Sequence, residues 1–266
     1  KDWGIPVPGD DSQIMYVWFD ALNVYRSAAP AKFWPADLHI IGKGIFRFHA
    51  VYWPAMLLSA KLPLPKEIFV HGYITLNGQK MSKSLGNTVD PVELIKKYGA
   101  DPVRYYLLRE IPSDDDGDFT EEKFKLRYNA DLANGLGNFT SRVLTLAQSF
   151  GPLKADFKHD ITKKISDAIE FARTAVAGKI ENRKFHEALS ELWKLISLGD
   201  SYVNEKKPWE VEVQSDEQRL VLVNLLTLLD NISVLLVPFL PSVAGKISDQ
   251  IETNEAAIVG KKLKEN

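Results

Sequence analysis

The chain has 266 residues, of which 45% are apolar and 26% are charged, and its formal net charge is -2. This composition is typical of globular domains, and the near-neutral charge excludes recognition of nucleic acid by the surface as a whole. The absence of cysteine excludes disulfides and thiol chemistry, and no apolar run approaches the roughly 20 residues of a membrane span. We therefore predict a cytoplasmic protein without membrane contact, with an organelle as the alternative compartment.

The predicted elements change in character near residue 119. Before it, strand-like apolar runs at 14–19, 37–42 and 66–75 alternate with a helical pattern at 44–60. Such alternation predicts a parallel, doubly wound α/β sheet. After it, only long amphipathic stretches follow, which predict a helix bundle. They lie at roughly 120–150, 160–180, 183–206 and 216–236. We predict an α/β domain at 1–118 and an all-α domain at 119–266.

A polar loop, "NGQKMSKSLGN" at 77–87, follows the last strand-like run. A helix begins soon after it, because Asp90 is a good N-cap, Pro91 suits the first helical position and Gly99 ends the pattern. The loop therefore lies at the strand-to-helix edge of the sheet, where α/β proteins bind ligands. The ammonium groups of Lys80 and Lys83 predict a polyphosphate site, with a solvated surface hairpin as the alternative.

An acidic segment, "PSDDDGDF" at 112–119, separates the two halves of the chain. It lacks the spacing of a calcium-binding loop, and we interpret it as a solvated turn. We predict no metal site in the chain.

The wider sequence resembles the methionyl-tRNA synthetase family of class I aminoacyl-tRNA synthetases. "KMSKS" at 80–84, preceded by "HGY" at 71–73, is similar to the signature loop of that class. The segments "VWFDALNVY", "HIIGKGIFRFHAVYWPAML", "NADLANGLGNFTSR" and "KKPW" resemble the methionyl family in the same order. The resemblance implies the second half of a Rossmann-like nucleotide-binding domain, followed by an α-helical anticodon-binding domain.

The resemblance implies that the protein activates methionine with ATP, bound with Mg²⁺, to methionyl-adenylate and transfers it to the 3′ end of tRNA(Met). Lys80 and Lys83 would hold the ATP phosphates while the methionine carboxylate attacks the α-phosphorus. The implied ATP-binding residues are His71, Gly72, Lys80, Met81, Ser82, Lys83 and Ser84. A structural role at the strand end is the alternative for His71.

The resemblance also implies an amino-acid slot suited to a thioether, lined by Trp18, Ala21, Tyr25, Ile45 and His49. Spacing supports part of this set, because Ile45, His49 and Tyr52 fall on one face of an α-helix. The alternative is that these side chains are ordinary core. Gly44 departs from the family, which usually has an acidic residue there, and it removes a carboxylate near the bound nucleotide or amino acid.

In the helical half, the resemblance implies that Asn138, Arg142 and Trp209 read the CAU anticodon. Stacking and edge-on hydrogen bonds to unpaired bases suit these side chains. A solvated polar stripe is the alternative for the first two, and packing at the end of the bundle is the alternative for Trp209.

The front of the chain lacks a "HIGH"-type segment, with which this class builds the other half of its ATP site. We therefore expect a partner, the missing N-terminal half of the catalytic domain, and we expect the chain alone to be incomplete for catalysis. We expect a monomer. One alternative is a non-catalytic tRNA-binding protein derived from a synthetase. Another is a nucleotidyltransferase-like enzyme that activates a different acid.

Overall fold

The structure is a computed structural model that describes residues 3–82, 86–150, 153 and 160–255. The chain divides into two compact units. Unit 1 comprises Lys1–Tyr73 with Asp114–Asp116, and unit 2 comprises Ile74–Ser113 with Gly117–Asn266. The fold is α/β followed by all-α. The predicted domain boundary at 118 stays a prediction.

Unit 1 is built around a pair of parallel strands. β3 and β4 align from Leu38 opposite Glu67 to Gly42 opposite His71, as the runs at 37–42 and 66–75 predict. The regular elements of this unit are β1 Pro6–Val7, β2 Asp10–Ile14, α1 Val17–Ala21, α2 Val24–Ser27, β3 Leu38–Gly42, α3 Trp53–Ser59 and β4 Glu67–His71. A 3₁₀ turn at Lys43–Ile45 and a π-helix at Phe48–Tyr52 lead from β3 into α3.

The strand predicted at 14–19 is wrong, because β2 ends at Ile14 and α1 begins at Val17. The run "IMYVWF" is apolar at every position, and such a run cannot distinguish a strand from a helix by periodicity. Tertiary packing decides the outcome. Leu22, whose main-chain N donates to the carbonyl of Trp18, is buried in a cluster with Trp53 and Leu57.

The strand predicted at 66–75 is interrupted at Gly72 and Tyr73. A Cβ on Gly72 would collide with the main chain of Asp115 and Asp116, so the close approach of this acidic turn requires glycine. Tyr73 donates its main-chain N–H to Oδ1 of Asp116 over 2.7 Å. Unit 1 therefore includes Asp114–Asp116, the middle of the acidic segment, although these residues lie far along the chain.

Unit 2 begins with a small sheet in the order β6-β5-β7. Its regular elements before the bundle are β5 Ile74–Leu76, β6 Gln79–Lys80, α4 Pro91–Tyr98, α5 Ala100–Glu110 and β7 Gly117–Phe119. The predicted N-cap is confirmed, because Oδ1 of Asp90 accepts from the main-chain N of Val92 over 2.8 Å. Gly99 ends α4 with a φ of +89°, a conformation that glycine adopts readily.

The helix bundle of unit 2 agrees closely with the amphipathic pattern. Its helices are α6 Glu121–Arg127, a π-helix at Tyr128–Gly137, α7 Asn138–Phe150, α8 Lys163–Glu181, α9 Phe185–Lys206, α10 Asp216–Leu236 and α11 Pro241–Glu255. One apolar cluster joins α5 to the π-helix and to the five helices that follow it. The apolar stripe after residue 120 supplies Leu136, Phe139 and Val143 to it.

α10 lies at the centre of this cluster. Among the described residues, it alone has the length and hydropathy of a membrane-spanning helix, with a mean hydropathy of 1.7. The sequence analysis predicted that the chain has no such apolar run, and it therefore missed this helix. However, 72% of its apolar window is buried inside the protein. Such burial is what a core helix shows, since its apolar faces are covered by neighbouring helices.

Candidate functional site

A buried histidine lies at the centre of a cluster of aromatic side chains in unit 1. His49 is 0% exposed; its Nδ1 lies 2.9 Å from the carbonyl oxygen of Ile45, and its Nε2 lies 2.7 Å from the hydroxyl of Tyr25. A carbonyl only accepts hydrogen bonds, so Nδ1 carries the proton and Nε2 accepts from the Tyr25 hydroxyl. A tyrosine hydroxyl is protonated at neutral pH, and burial raises the pKa of Tyr25 further.

Trp18 packs against one side of this cluster. Its ring stacks on Phe48 with centroids 4.6 Å apart, and it meets the His49 ring edge-on at 5.7 Å. Ala21 follows at the end of the same short helix. The structure therefore brings together Trp18, Tyr25, His49 and the main chain of Ile45.

The expectation that Tyr52 shares a face with His49 is wrong. Tyr52 is 44% exposed, while His49 is fully buried. The segment Phe48–Tyr52 is a π-helix, whose wider turn changes the angular spacing between successive side chains. A prediction based on 3.6 residues per turn cannot hold across it.

His39 belongs to the same cluster, and the sequence interpretation missed it. It is 5% exposed on β3, and its ring centroid lies 4.4 Å from that of Tyr25. Its Nε2 is buried and has no hydrogen-bond partner. Burial lowers the pKa of His39, and the nearby His49 lowers it further. The signal that was available is one polar side chain at an inward position of the apolar run "LHIIG".

Lys43, which directly follows β3, forms an ion pair with the acidic turn of unit 1. Its Nζ lies 3.0 Å from Oδ2 of Asp116 and 5.7 Å from the centre of the Tyr73 ring. The main-chain N–H of Tyr73 and the Lys43 ammonium together lower the pKa of Asp116. Gly44 follows Lys43, so the position at which the family usually has an acid is flanked by an ion pair and a tyrosine.

The signature loop lies in unit 2, beyond the β5–β6 hairpin. Asn77 and Gly78 form its two-residue turn with φ of 51° and 74°, values that glycine and asparagine tolerate best. Oδ1 of Asp118 accepts from the Gly78 main-chain N and the Thr75 hydroxyl, each over 2.7 Å. These bonds lower the pKa of Asp118 and fasten the hairpin to β7.

The residues predicted to bind ATP fall on both units. In unit 2, Lys80 is exposed, and Met81 and Ser82 are half-buried. Lys83 and Ser84 lie outside the described residues. In unit 1, His71 is exposed at the end of β4, and its Nδ1 lies 3.0 Å from the carbonyl of Gly72.

A third site lies on the bundle. Nη2 of Arg142 donates to Oδ1 of Asn204 over 2.7 Å, and its guanidinium carbon lies 5.1 Å from the centre of the Trp209 ring. Trp209 is 51% exposed, and Asn138 is exposed one turn before Arg142. The structure thus brings the three predicted residues to one surface, and it adds Asn204, which the sequence interpretation missed. Asn204 lies sixty-two positions from Arg142, and nothing local signals the contact.

Comparisons with known proteins agree with these sites. The family model "tRNA synthetases class I (M)" matches residues 1–144, and the model "Anticodon binding domain of methionyl tRNA ligase" matches residues 147–265. The chain belongs to the methionyl family of class I tRNA synthetases. Among the described residues of this family member, no three His, Asp or Glu side chains are grouped so that they could hold a metal ion.

Individual relatives are named as methionine–tRNA ligases or as methionyl-tRNA synthetases. Methionine–tRNA ligase 1 of Bacillus anthracis is 41% identical over 96% of this chain and 41% of its own length. The ligase of Rhizobium meliloti is 42% identical over 94% of this chain and 51% of its own length. A structure of Mycobacterium tuberculosis methionyl-tRNA synthetase in complex with methionyl-adenylate has a TM-score of 0.80 and 38% identity, covering 94% of this chain and 52% of that one. The chain spans about half the length of these relatives.

Proposed function

We propose that the chain is part of a methionyl-tRNA synthetase that activates methionine with ATP and transfers it to the 3′ end of tRNA(Met). The observation that carries this proposal is the aromatic cluster around His49, where a fully buried ring is fixed by Tyr25 and Ile45 beside Trp18. It lies within the residues that match the synthetase model. Polarizable thioethers make favourable contacts with aromatic rings, so a slot lined by these rings suits a methionine side chain.

In this proposal, the methionine slot is lined by Trp18, Ala21, Tyr25, Ile45 and His49. The Nδ1 proton of His49 is held by a main-chain carbonyl, which leaves the ring in one tautomer and one orientation. The slot therefore presents a rigid, mostly apolar wall. A rigid wall discriminates between side chains of similar size better than one that rearranges.

The phosphates of ATP, bound with Mg²⁺, would meet the signature loop. Lys80 and Lys83 would stabilise the charge that develops as pyrophosphate leaves, because an ammonium on a long side chain is a mobile point charge. His71, Gly72, Met81, Ser82 and Ser84 would complete the nucleotide site. The carboxylate of methionine attacks the α-phosphorus directly, so no covalent enzyme intermediate is needed.

On the bundle, Asn138, Arg142 and Trp209 would bind the anticodon of tRNA(Met). Arg142 is already held over the Trp209 ring, which prepares a stacking surface with a hydrogen-bonding edge. Bases of a single-stranded loop present both faces and edges to such a surface.

Further proposals concern the whole protein. We propose domains at 1–118 and 119–266, a monomeric state, a cytoplasmic location and a catalytic domain completed by an N-terminal half. Size-exclusion chromatography with light scattering tests the monomer, and cell fractionation tests the location. A dimer mass or an enrichment in membranes would contradict them.

The function is tested by methionine-dependent exchange of pyrophosphate into ATP. The protein is produced from the reading frame extended upstream of Lys1, beside the 266-residue chain alone. We expect exchange with methionine for the extended protein and none for the chain alone. A screen of other amino acids covers the nucleotidyltransferase alternative. An extended protein that binds tRNA(Met) but activates no amino acid would be the non-catalytic alternative, which the ligase names of the relatives do not favour.

A further inference from the structure

The side chain of Asn87 joins two points of the signature loop. Its Oδ1 accepts from the main-chain N of Ser82 over 2.8 Å, and its Nδ2 donates to the carbonyl of Lys80 over 3.1 Å. One amide group thus binds a main-chain donor and a main-chain acceptor that lie two residues apart. Among short side chains, only asparagine offers both a donor and an acceptor in this geometry.

The backbone before Asn87 is shaped to return the side chain to the loop. Gly86 has a φ of +65°, in the left-handed region where residues other than glycine are strained. This conformation turns the chain so that Asn87 faces Lys80 and Ser82. Asn87 itself is half-buried, so water competes less for these bonds than on an open surface.

Lys80 therefore lies between two anchors in unit 2. On its N-terminal side, Asp118 fixes the hairpin turn through Gly78 and Thr75. On its C-terminal side, Asn87 fixes its own carbonyl and the amide of Ser82. Two anchors on either side of a lysine limit the positions of its Cα, and less conformational entropy is then lost when its ammonium group binds.

We propose that Asn87 is a positioning residue for Lys80 in the activation step. This inference rests on the proposed function, because it assigns Asn87 an effect on phosphate binding in the transition state. Asn87 touches neither substrate in this account; it acts through the main chain of Lys80 and Ser82. Correct placement of charge matters most in the transition state, where the phosphate charge redistributes.

The test measures pyrophosphate exchange with the extended protein and three variants. Asn87→Ala removes both bonds, and we expect kcat to fall about tenfold or more while the KM for methionine stays unchanged. Asn87→Asp keeps the acceptor for Ser82 but sets a carboxylate oxygen against the Lys80 carbonyl oxygen, so its kcat should also fall. Asn182→Ala is the matched control, because Asn182 is exposed and donates to one main-chain carbonyl, that of Gly178, over 2.7 Å in the bundle; its kcat should not change.

A second measurement does not depend on activity. Limited trypsin digestion followed by mass spectrometry reports how readily the chain is cut after Lys80. We expect faster cleavage there in Asn87→Ala and an unchanged rate in Asn182→Ala, because loss of the two bonds loosens the main chain between Lys80 and Ser82.

The outcomes separate the two proposals. An unmodified extended protein without exchange activity would overturn the proposed function and this inference with it. An active protein whose Asn87→Ala variant keeps its kcat would overturn the positioning role alone, whatever the digestion shows. A fall in kcat with an unchanged rate of cleavage after Lys80 would also overturn it, since the effect would then not pass through the main chain of the loop.

Discussion

A Cβ on Gly44 would lie 2.6 Å from the hydroxyl oxygen of Tyr73. The main-chain N of Tyr73 donates to Asp116, and the Lys43 ammonium lies over the face of the Tyr73 ring. The next closest atom of that side chain, Cζ, would lie 3.6 Å from the same Cβ, an ordinary contact. The Tyr73 hydroxyl therefore occupies the space that a side chain at residue 44 would need.

We expect Gly44→Ala to destabilise unit 1 by about 1 kcal/mol, at the low end for overpacking, because the half-exposed Tyr73 is able to shift. Tyr73→Phe removes the atom in conflict, so the same Gly44→Ala change should cost much less in that background. The measurement is a double-mutant cycle on the opening free energy of the β3 amides, followed by hydrogen exchange. Equal costs in both backgrounds would show that the two residues are independent.

The environment of His39 predicts a pH dependence. Its folded-state pKa is lowered from the ordinary 6.5, by burial and then by His49. A histidine whose pKa is lowered on folding stabilises the fold while neutral, and this stabilisation is lost as the pH falls below 6.5 toward the folded pKa. The groups facing its ring are Tyr25 and His49.

We therefore expect the opening free energy of the β3 amides to be smaller at about pH 5.5 than at about pH 7.5, after correction for intrinsic exchange rates. His39→Gln should reduce this pH difference. His71→Gln, at an exposed ring on the neighbouring strand, is the control and should leave it in place. The idea is falsified if both variants behave alike.

The bundle was predictable from the sequence because its signals are local. Helices predicted at 160–180, 183–206 and 216–236 occur at Lys163–Glu181, Phe185–Lys206 and Asp216–Leu236. The period of apolar residues fixes such helices, and caps such as Asp90 fix their ends. The short helix α1 and the two π-helices were not predictable, because an all-apolar run carries no period and the π-helices break the 3.6-residue period.

The candidate sites were predictable only in part. The family motifs predict that Trp18, Tyr25 and His49 lie close together, and in the structure His49 contacts both of the other side chains. His39 and Asn204 were missed because each acts through contacts between distant segments. Such contacts leave no spacing in the sequence, and only packing reveals them.

The arrangement of Arg142 over the Trp209 ring predicts an effect on RNA binding. We expect Trp209→Ala to weaken binding of an RNA hairpin with a CAU loop by about tenfold, because stacking of one base contributes ~1–3 kcal/mol. Trp209→Phe should retain part of the affinity. Fluorescence anisotropy of a labelled hairpin measures both. Phe171→Ala is the matched control, because Phe171 is an exposed aromatic residue on α8; unchanged affinity in Trp209→Ala would remove this residue from the site.

We expect the buried side chain of Asn224 to stabilise the bundle. It is 0% exposed on α10; its Oδ1 accepts from the main-chain N and the hydroxyl of Thr162, and its Nδ2 donates to the carbonyls of Asp160 and Leu220. Asn224→Ala removes all four of these hydrogen bonds of a fully buried side chain, so we expect a loss of about 3 kcal/mol. Urea unfolding followed by helical circular dichroism measures it. A loss no larger than that of Asn182→Ala, at an exposed helix end, would contradict the prediction.

One helix, α5, binds both sides of the turn between α10 and α11. Arg104 donates to the carbonyls of Pro238 and Phe239 over 2.8 and 3.1 Å, and Oδ2 of Asp101 accepts from the main-chain N of Val243 over 2.8 Å. Asp101 is 5% exposed. It therefore caps the start of α11 from another helix, a role that side chains usually fill from within the same segment.

We expect Asp101→Ala to loosen the first turn of α11, because the Val243 amide loses its acceptor and a buried N–H without a partner costs about 1–3 kcal/mol. Asp101→Asn keeps an acceptor without the charge and should have a smaller effect, since hydrogen bonds to charged groups are the stronger ones. Hydrogen exchange of the peptide covering 241–251 measures both variants. Asp167→Ala, at an exposed position on α8, controls for loss of a carboxylate alone, and equal exchange in all three variants would mean that α11 is held by its apolar contacts.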